Sequence, residues 1–325
     1  SISGVTFVSV PGKVGTEGLN MAFSYMQVVF GYLLGYAVIA LVLMPIYYRL
    51  NLTSIYGYLE SRFGRNSYKT GAGFFLLSRT LGSALRLFLM VIILQKFIFD
   101  SFGIPFWLTG FITLAFIFLY TYRGGVKTVI ITDTFLALCF ISALCLTLYS
   151  MMSRLELNVS SLIPALKESG YSRMFFFEGG WNDPNNFFKQ FLSGALITIV
   201  MTGLDQDMMQ KNLTCRTLGD AQKNMFTFSL IIVFVNLLFL ALGALLYIYA
   251  GKEGIAIPEN SDYLYPEIAF HYLTPFLGVV FILGIVAATF SSSDSALTSL
   301  TTSFCVDFLD FEKKEQNMAQ HRTRM

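Results

Sequence analysis

The stretch FSSSDSALTSL, residues 290 to 300, concentrates six hydroxyls and one carboxylate in about three helical turns of an otherwise apolar segment. At roughly 100° per residue, Ala288, Ser291, Ser292 and Ser295 share one helix face, with Asp294 beside Ser291 and Ser295. Hydroxyl oxygens, a carboxylate and backbone carbonyls freed by a helix break are the ligands a hard cation such as Na⁺ accepts in place of its hydration shell. The competing reading is that these hydroxyls bond back to carbonyls one turn earlier, or let two helices pack closely. A carboxylate within such a segment favours the ion site, because charge in hydrocarbon is costly and is kept for a task.

Two further constellations belong with it. YTYRGGVKTVIITDTFLALC places Asp133 at a depth that should match that of Asp294; capping a helix or partnering an arginine is its structural alternative. MTGLDQDMMQKNL gathers Asp205, Gln206, Asp207 and Gln210, where a solvated helix end accounts for them equally well. The third feature is cationic. Arg79 and Arg86, in LLSRTLGSALRLFLMVIILQ, lie seven apart on one face of an apolar segment, and Arg86 is too deep to snorkel to water. Arg86 therefore either pairs with Asp133 or Asp294, or presents its fork to a carboxylate or other anion.

The elements that must position these groups are membrane helices. Hydrophobic residues make up 55% of the chain, charged residues 13%, and mean hydropathy is +0.62, beyond the range of a soluble domain of this length. Apolar segments long enough to span a bilayer fall at about 20–48, 70–99, 104–121, 128–152, 188–206, 223–250 and 275–306, and none alternates like a barrel strand. The expected fold is all-α, a polytopic membrane bundle forming a single transmembrane domain over 1–325. Thirteen Lys and Arg fall in one alternate set of connections, among them Arg49, Arg62, Arg123, Lys211 and Arg216, against six in the other. The richer set is cytoplasmic. This makes 153–187 an extracellular loop, read chiefly as connecting surface, and 308–325 a cytoplasmic segment of a multi-pass cell-membrane protein. Topology also accounts for the net charge of +2, so lipid is the expected partner and nucleic acid is not. Four cysteines and two histidines show no metal-type spacing, and no nucleophile motif, P-loop or dinucleotide fingerprint marks an enzyme. Both ends read as cut within a longer protein.

The segments SISGVTFVSVPGK, YGYLESRFGR, YRGGVKTVIITD, GLDQDMMQKNL and ATFSSSDSALTSLTTSFCVDF, in this order, resemble the sodium:solute symporter family, which holds sodium/glucose, proline and sialic acid cotransporters. The resemblance covers essentially the whole chain. It implies the inverted-repeat, LeuT-like transporter fold, in which two five-helix halves pack around a midplane site made by broken helices, here truncated to the first through eighth core helices. It also implies Na⁺-coupled symport of a small organic solute, and Na⁺ as the only metal.

The family's common sodium site maps onto the carbonyls of Ile2 and Ala288 and the hydroxyls of Ser291 and Ser292. A second site, in the sialic acid branch, maps onto Asp133, Ser291, Asp294 and Ser295, with Asp294 standing where that branch has a serine. Arg86 matches the arginine that holds the substrate carboxylate in that branch, and Ser1, Ser3 and Thr6 match its first-helix contacts. Tyr25 and Gln27 are further candidates for the pocket lining. The sugar contacts of the glucose-type members are not kept at Tyr25, Val28, Thr198 and Met201, so the resemblance implies an anionic solute, sialic acid or another carboxylate. The alternative is a symporter-fold sensory or channel-like module that binds ligand without transporting it.

Overall fold

A computed structural model of the chain describes residues 4–52, 54–121, 126–309 and 311. Its helices are α1 (Gly4–Lys13), α2 (Tyr25–Arg49), α3 (Arg65–Phe97), α4 (Phe106–Thr121), α5 (Val126–Arg154), α6 (Val159–Glu168), α7 (Phe187–Gly203), α8 (Gln206–Leu213), α9 (Leu218–Glu253), α10 (Leu264–His271) and α11 (Pro275–Phe308). A short helix, Gly57–Phe63, joins α2 to α3, and no strand occurs among the described residues.

Among the described residues, five helices, α2, α3, α5, α9 and α11, are long and apolar enough to cross a membrane. The pair α7 and α8 passes the same test of length and composition only when taken together, with a bend of 66° at Leu204 and Asp205. The segment expected at 104–121 is a helix of 16 residues, about 24 Å long and shorter than the roughly 30 Å hydrocarbon core. Large side chains such as Leu41, Phe74, Phe111, Leu119, Phe135 and Phe234 stand exposed on the outside of the bundle, as lipid-facing positions do.

Helix α1 runs through the middle. Phe7 is completely buried, and its ring meets Phe140 of α5, Phe239 of α9, Tyr265 of α10 and Phe281 of α11 at centroid distances of 5.2 to 5.8 Å. Tilted and edge-on ring pairs of this kind add to plain area burial, so one residue ties α1 to four other helices. Close backbone approach joins α2 to α7: a Cβ at Gly31 would collide with the carbonyl of Phe191, and one at Gly194 with that of Val28. Small residues at facing positions are the usual means of helix association in lipid, where no hydrophobic drive exists between helices.

The 153–187 segment carries α6 and is tied into the bundle. Gln27, fully buried, donates from Nε2 to the Asn185 carbonyl (2.8 Å), while its Oε1 accepts from the Phe176 backbone N–H (3.1 Å). Asn185 in turn donates from Nδ2 to Gly18 O (2.7 Å) and accepts from the backbone N–H of Asn20 (2.9 Å). The segment thus clamps the start of α2.

Candidate functional site

The bend between α7 and α8 sets the geometry. A π turn, Ile199–Gly203, ends α7, and Asp205 starts α8 by accepting from the backbone N–H groups of Asp207 (3.0 Å) and Met208 (3.2 Å). Carbonyls left over at the bend are also taken: Tyr47 donates to Gly203 O (2.9 Å) and Tyr56 to Leu204 O (3.3 Å). Irregular backbone at membrane depth survives only where its polar groups find such partners.

Beside the bend lies a cavity of about 140 Å³. Its walls are Thr6 of α1, Tyr25, Tyr32 and Tyr36 of α2, Arg79 and Arg86 of α3, Thr198, Met201 and Thr202 of α7, Met208 of α8, and Ile232 and Asn236 of α9. The hydroxyls of Tyr25 and Tyr32 bond each other at 3.0 Å. A second cavity, about 200 Å³, continues past Thr6 and Tyr25 to Ser9, Lys13 and Asn20, so these two residues line both chambers. Gln27 lines neither, because its amide is consumed by the loop clamp; a buried glutamine in an apolar helix reads as a pocket residue until its distant partners are seen.

The two arginines take different environments. Arg79 pairs with Asp207 and lies 3.8 Å from Asp205 Oδ2. Arg86, one face-repeat further along α3, forms no ion pair among the described residues, and the suggested pairing with Asp133 or Asp294 is not made. Arg86 lines the 140 Å³ cavity.

The serine cluster divides in two. Ser292 donates back to Thr289 O (2.9 Å), Ser299 to Ala296 O (2.9 Å) and Thr298 to Asp294 O (2.9 Å), the local back-bonding that any membrane helix allows. Ser291 and Ser295 instead reach across to other helices. Ser291 Oγ donates to Asp133 Oδ1 on α5 (2.6 Å), and Ser295 Oγ to Asp207 Oδ1 on α8 (2.5 Å). Ala288, Ser292 and Asp294 are buried. Gly4 of α1 packs directly on Thr289, one turn before this cluster, with no room for a Cβ. Ser1, Ile2 and Ser3 lie outside the described residues.

Four residues carry more than the sequence reading assigned. Asp207 is fully buried and Gln206 and Gln210 are buried with it, so this segment is not a solvated helix end. Lys211, counted above only as a cytoplasmic charge, donates from Nζ to Asp133 Oδ2 at 2.5 Å. Asp207 and Lys211 are four apart and share a face of α8, which is the one sequence signal that could have drawn them in.

Comparison with known proteins places this architecture. The model of the sodium:solute symporter family matches residues 1–325. The sodium/sialic acid symporter NanT of Aliivibrio fischeri is 24% identical over 98% of this chain and 61% of its own length. The human sodium/iodide cotransporter is 28% identical over 66% of this chain and 32% of its own. A solved structure of a Na⁺-coupled sialic acid symporter, substrate-bound, outward-open and revealing a novel Na⁺ site, superposes with a TM-score of 0.80 at 22% identity, covering 95% of this chain and 64% of that one. The chain therefore spans under two thirds of the length of these relatives, and it has the fold of the last. It is an integral membrane protein and a member of the sodium:solute symporter family.

Proposed function

We propose that the protein is a Na⁺-coupled secondary active symporter that imports a small organic anion, sialic acid or another carboxylate, by alternating access. The observation that carries this reading is Arg86. This arginine lines a cavity shared with tyrosines, threonines and Asn236, and it forms no ion pair among the described residues. A planar fork of donors in a low-dielectric pocket suits a carboxylate. Sialic acid and iodide, the solutes named for two relatives, share little beyond a negative charge, which supports charge as the recognised feature. A cavity of about 140 Å³ is smaller than the roughly 300 Å³ at which drug-sized pockets begin. It suits a short carboxylate as it stands, and sialic acid requires it to widen toward the chamber beyond Tyr25.

Na⁺ is held in this reading by Ala288 O, Ser291 and Ser292 of α11 together with the carbonyl of Ile2, and its loss to the cytoplasm unties α1 from α11. Coupling is then a difference in ion affinity between two states. The membrane potential contributes about 2.3 kcal/mol per charge per 100 mV. The partners are the solute, sodium and the bilayer.

The test is uptake of labelled sialic acid and of short monocarboxylates into proteoliposomes, with and without an inward Na⁺ gradient. Wild type should accumulate one of them only with Na⁺, Ser292→Ala should lose Na⁺ dependence or activity, and Arg86→Ala should raise KM. Hydrogen bonds to a charged group are worth about 1.5–3 kcal/mol, so the rise should be about 10- to 150-fold. Equal uptake without Na⁺ sinks the ion reading. An unchanged KM in Arg86→Ala sinks the anion reading.

A further inference from the structure

We infer that Asn236 is a second recognition group of the solute chamber. Its side-chain carbonyl accepts a hydrogen bond from the solute, so the anion favoured there is a short carboxylate that also carries a hydroxyl or an amide N–H. The inference rests on the reading of Arg86 above and narrows the class of solute.

Asn236 is the one polar side chain in LIIVFVNLLFLALGALL, residues 230 to 246 of α9. An amide in such a segment is costly unless it is hydrogen-bonded. Only half of this one is. Nδ2 donates to the Ile232 carbonyl one turn earlier (2.8 Å), the back-bonding open to polar side chains in a helix. Oδ1 is buried and has no hydrogen-bond partner among the described residues. The bond to Ile232 also fixes which end of the amide is which, because a backbone carbonyl accepts and only the amide nitrogen can donate to it. Packing within α9 accounts for the nitrogen and gives the oxygen nothing to do.

The residue is 3% exposed and lines the same chamber of about 140 Å³ as Arg86. Tyr25 and Tyr32, on the same wall system, spend their hydroxyls on each other. A small solute in this chamber therefore meets a guanidinium, which selects an anionic group, and a carbonyl acceptor, which selects a donor. A carboxylate with only an alkyl chain fills the space and leaves Oδ1 stranded at low dielectric. A hydroxyl or N–H on that chain supplies the missing bond. Selectivity of this kind exceeds what an extra methylene gives, because the penalty falls on an unpaired group of the protein itself.

The experiment compares three solutes of similar size: lactate, 2-fluoropropionate and propionate. Only lactate has a donor beside its carboxylate. Stabilisation of the intact protein in nanodiscs against thermal unfolding, at saturating Na⁺, gives a dissociation constant for each. An acceptor left unpaired on binding is worth about 5- to 150-fold in affinity, so wild type should bind lactate more tightly than the other two by that ratio. Asn236→Leu should bring the three within about twofold of one another, leave propionate unchanged, and unfold at no lower a temperature without solute. A merely structural asparagine would do the reverse, lowering stability and keeping the order of the three. Should Asn236→Leu fail to fold, the wild-type order still decides. Equal affinities in wild type overturn the inference, as does a preference for lactate that survives in Asn236→Leu, or no stabilisation by any of the three. Stabilisation that is the same in choline as in Na⁺ overturns the symport reading instead, an outcome distinct from the others.

Discussion

Removing one member of the Arg79–Asp207 pair should be among the most damaging single changes in the chain. Asp207 is fully buried and Arg79 is 7% exposed. Asp207→Asn keeps the shape and an oxygen for Ser295 to donate to, but leaves a buried guanidinium whose nearest carboxylate is Asp205, at 3.8 Å. Breaking a buried pair costs about 3–5 kcal/mol, and the residual attraction of Asp205 puts this variant near the lower end. Arg79→Met is the harsher change, because Asp207 keeps only the Ser295 hydroxyl; its cost should fall near the upper end, about three and a half powers of ten in the folding constant. The double variant Arg79→Met/Asp207→Leu removes both charges together, and replacing a buried pair by apolar residues is often neutral. It should be clearly more stable than either single variant. Unfolding by SDS in mixed micelles, followed by far-ultraviolet circular dichroism, measures all four proteins. Asp207→Asn within about 0.5 kcal/mol of wild type, or a double variant whose loss equals the sum of the singles, would refute the claim that the pair acts as one buried unit.

Two further outcomes follow from packing and from the loop clamp. Gln27→Leu strands the buried Phe176 N–H and cuts the tie to Asn185; the loss should be about 1–3 kcal/mol and appear as faster hydrogen exchange over 173–187 with the core of α9 unchanged. Gly31→Val drives a side chain into the Phe191 carbonyl, which overpacking places at about 1–3 kcal/mol, and crosslinking between cysteines placed on α2 and α7 should slow accordingly.

How far these contacts were legible in the sequence depends on whether they are local. Hydropathy marks the spans closely, because burial in lipid imposes a length and a composition on consecutive residues: 275–306 is realised as Pro275–Phe308, and 223–250 as Leu218–Glu253. The face shared by Ser291, Ser292 and Ser295 is likewise a matter of helical period. What periodicity does not carry is the choice of partner on another helix. Arg79 and Arg86 are equivalent by spacing, yet only Arg79 meets the aspartates of the α7–α8 bend. Gln27 reads as a pocket residue because the groups that bind it lie about 150 residues away. Lys211 reads as a cytoplasmic charge, since the positive-inside rule explains it without requiring a contact.

The partners that sequence reading leaves open converge on α8, an element of eight residues. From it, Asp207 reaches α3 through Arg79 and α11 through Ser295, Lys211 reaches α5 through Asp133, and Gln206 accepts from the backbone N–H of Ile55 (2.9 Å). The helix before the bend is held differently. Helix α7 lies against α2 with backbones in near contact at Gly31 and Gly194, an arrangement that cannot shift without losing its packing. Ionic and hydrogen-bonded ties can instead be exchanged for others of similar strength when charge nearby changes. In the symport proposed above, a solute anion arriving at Arg86 would add negative charge to the group that Arg79 and Asp207 already balance, and a cation at Ser291 would compete for the hydroxyl that Asp133 now accepts from. The first event would act on a tie that ends on α8 and the second on the carboxylate of Asp133, which Lys211 of α8 also holds, while Met208 of the same helix lines the cavity. On that proposed reading, the short arm beyond the bend is the element through which ion occupancy and solute occupancy would sense each other.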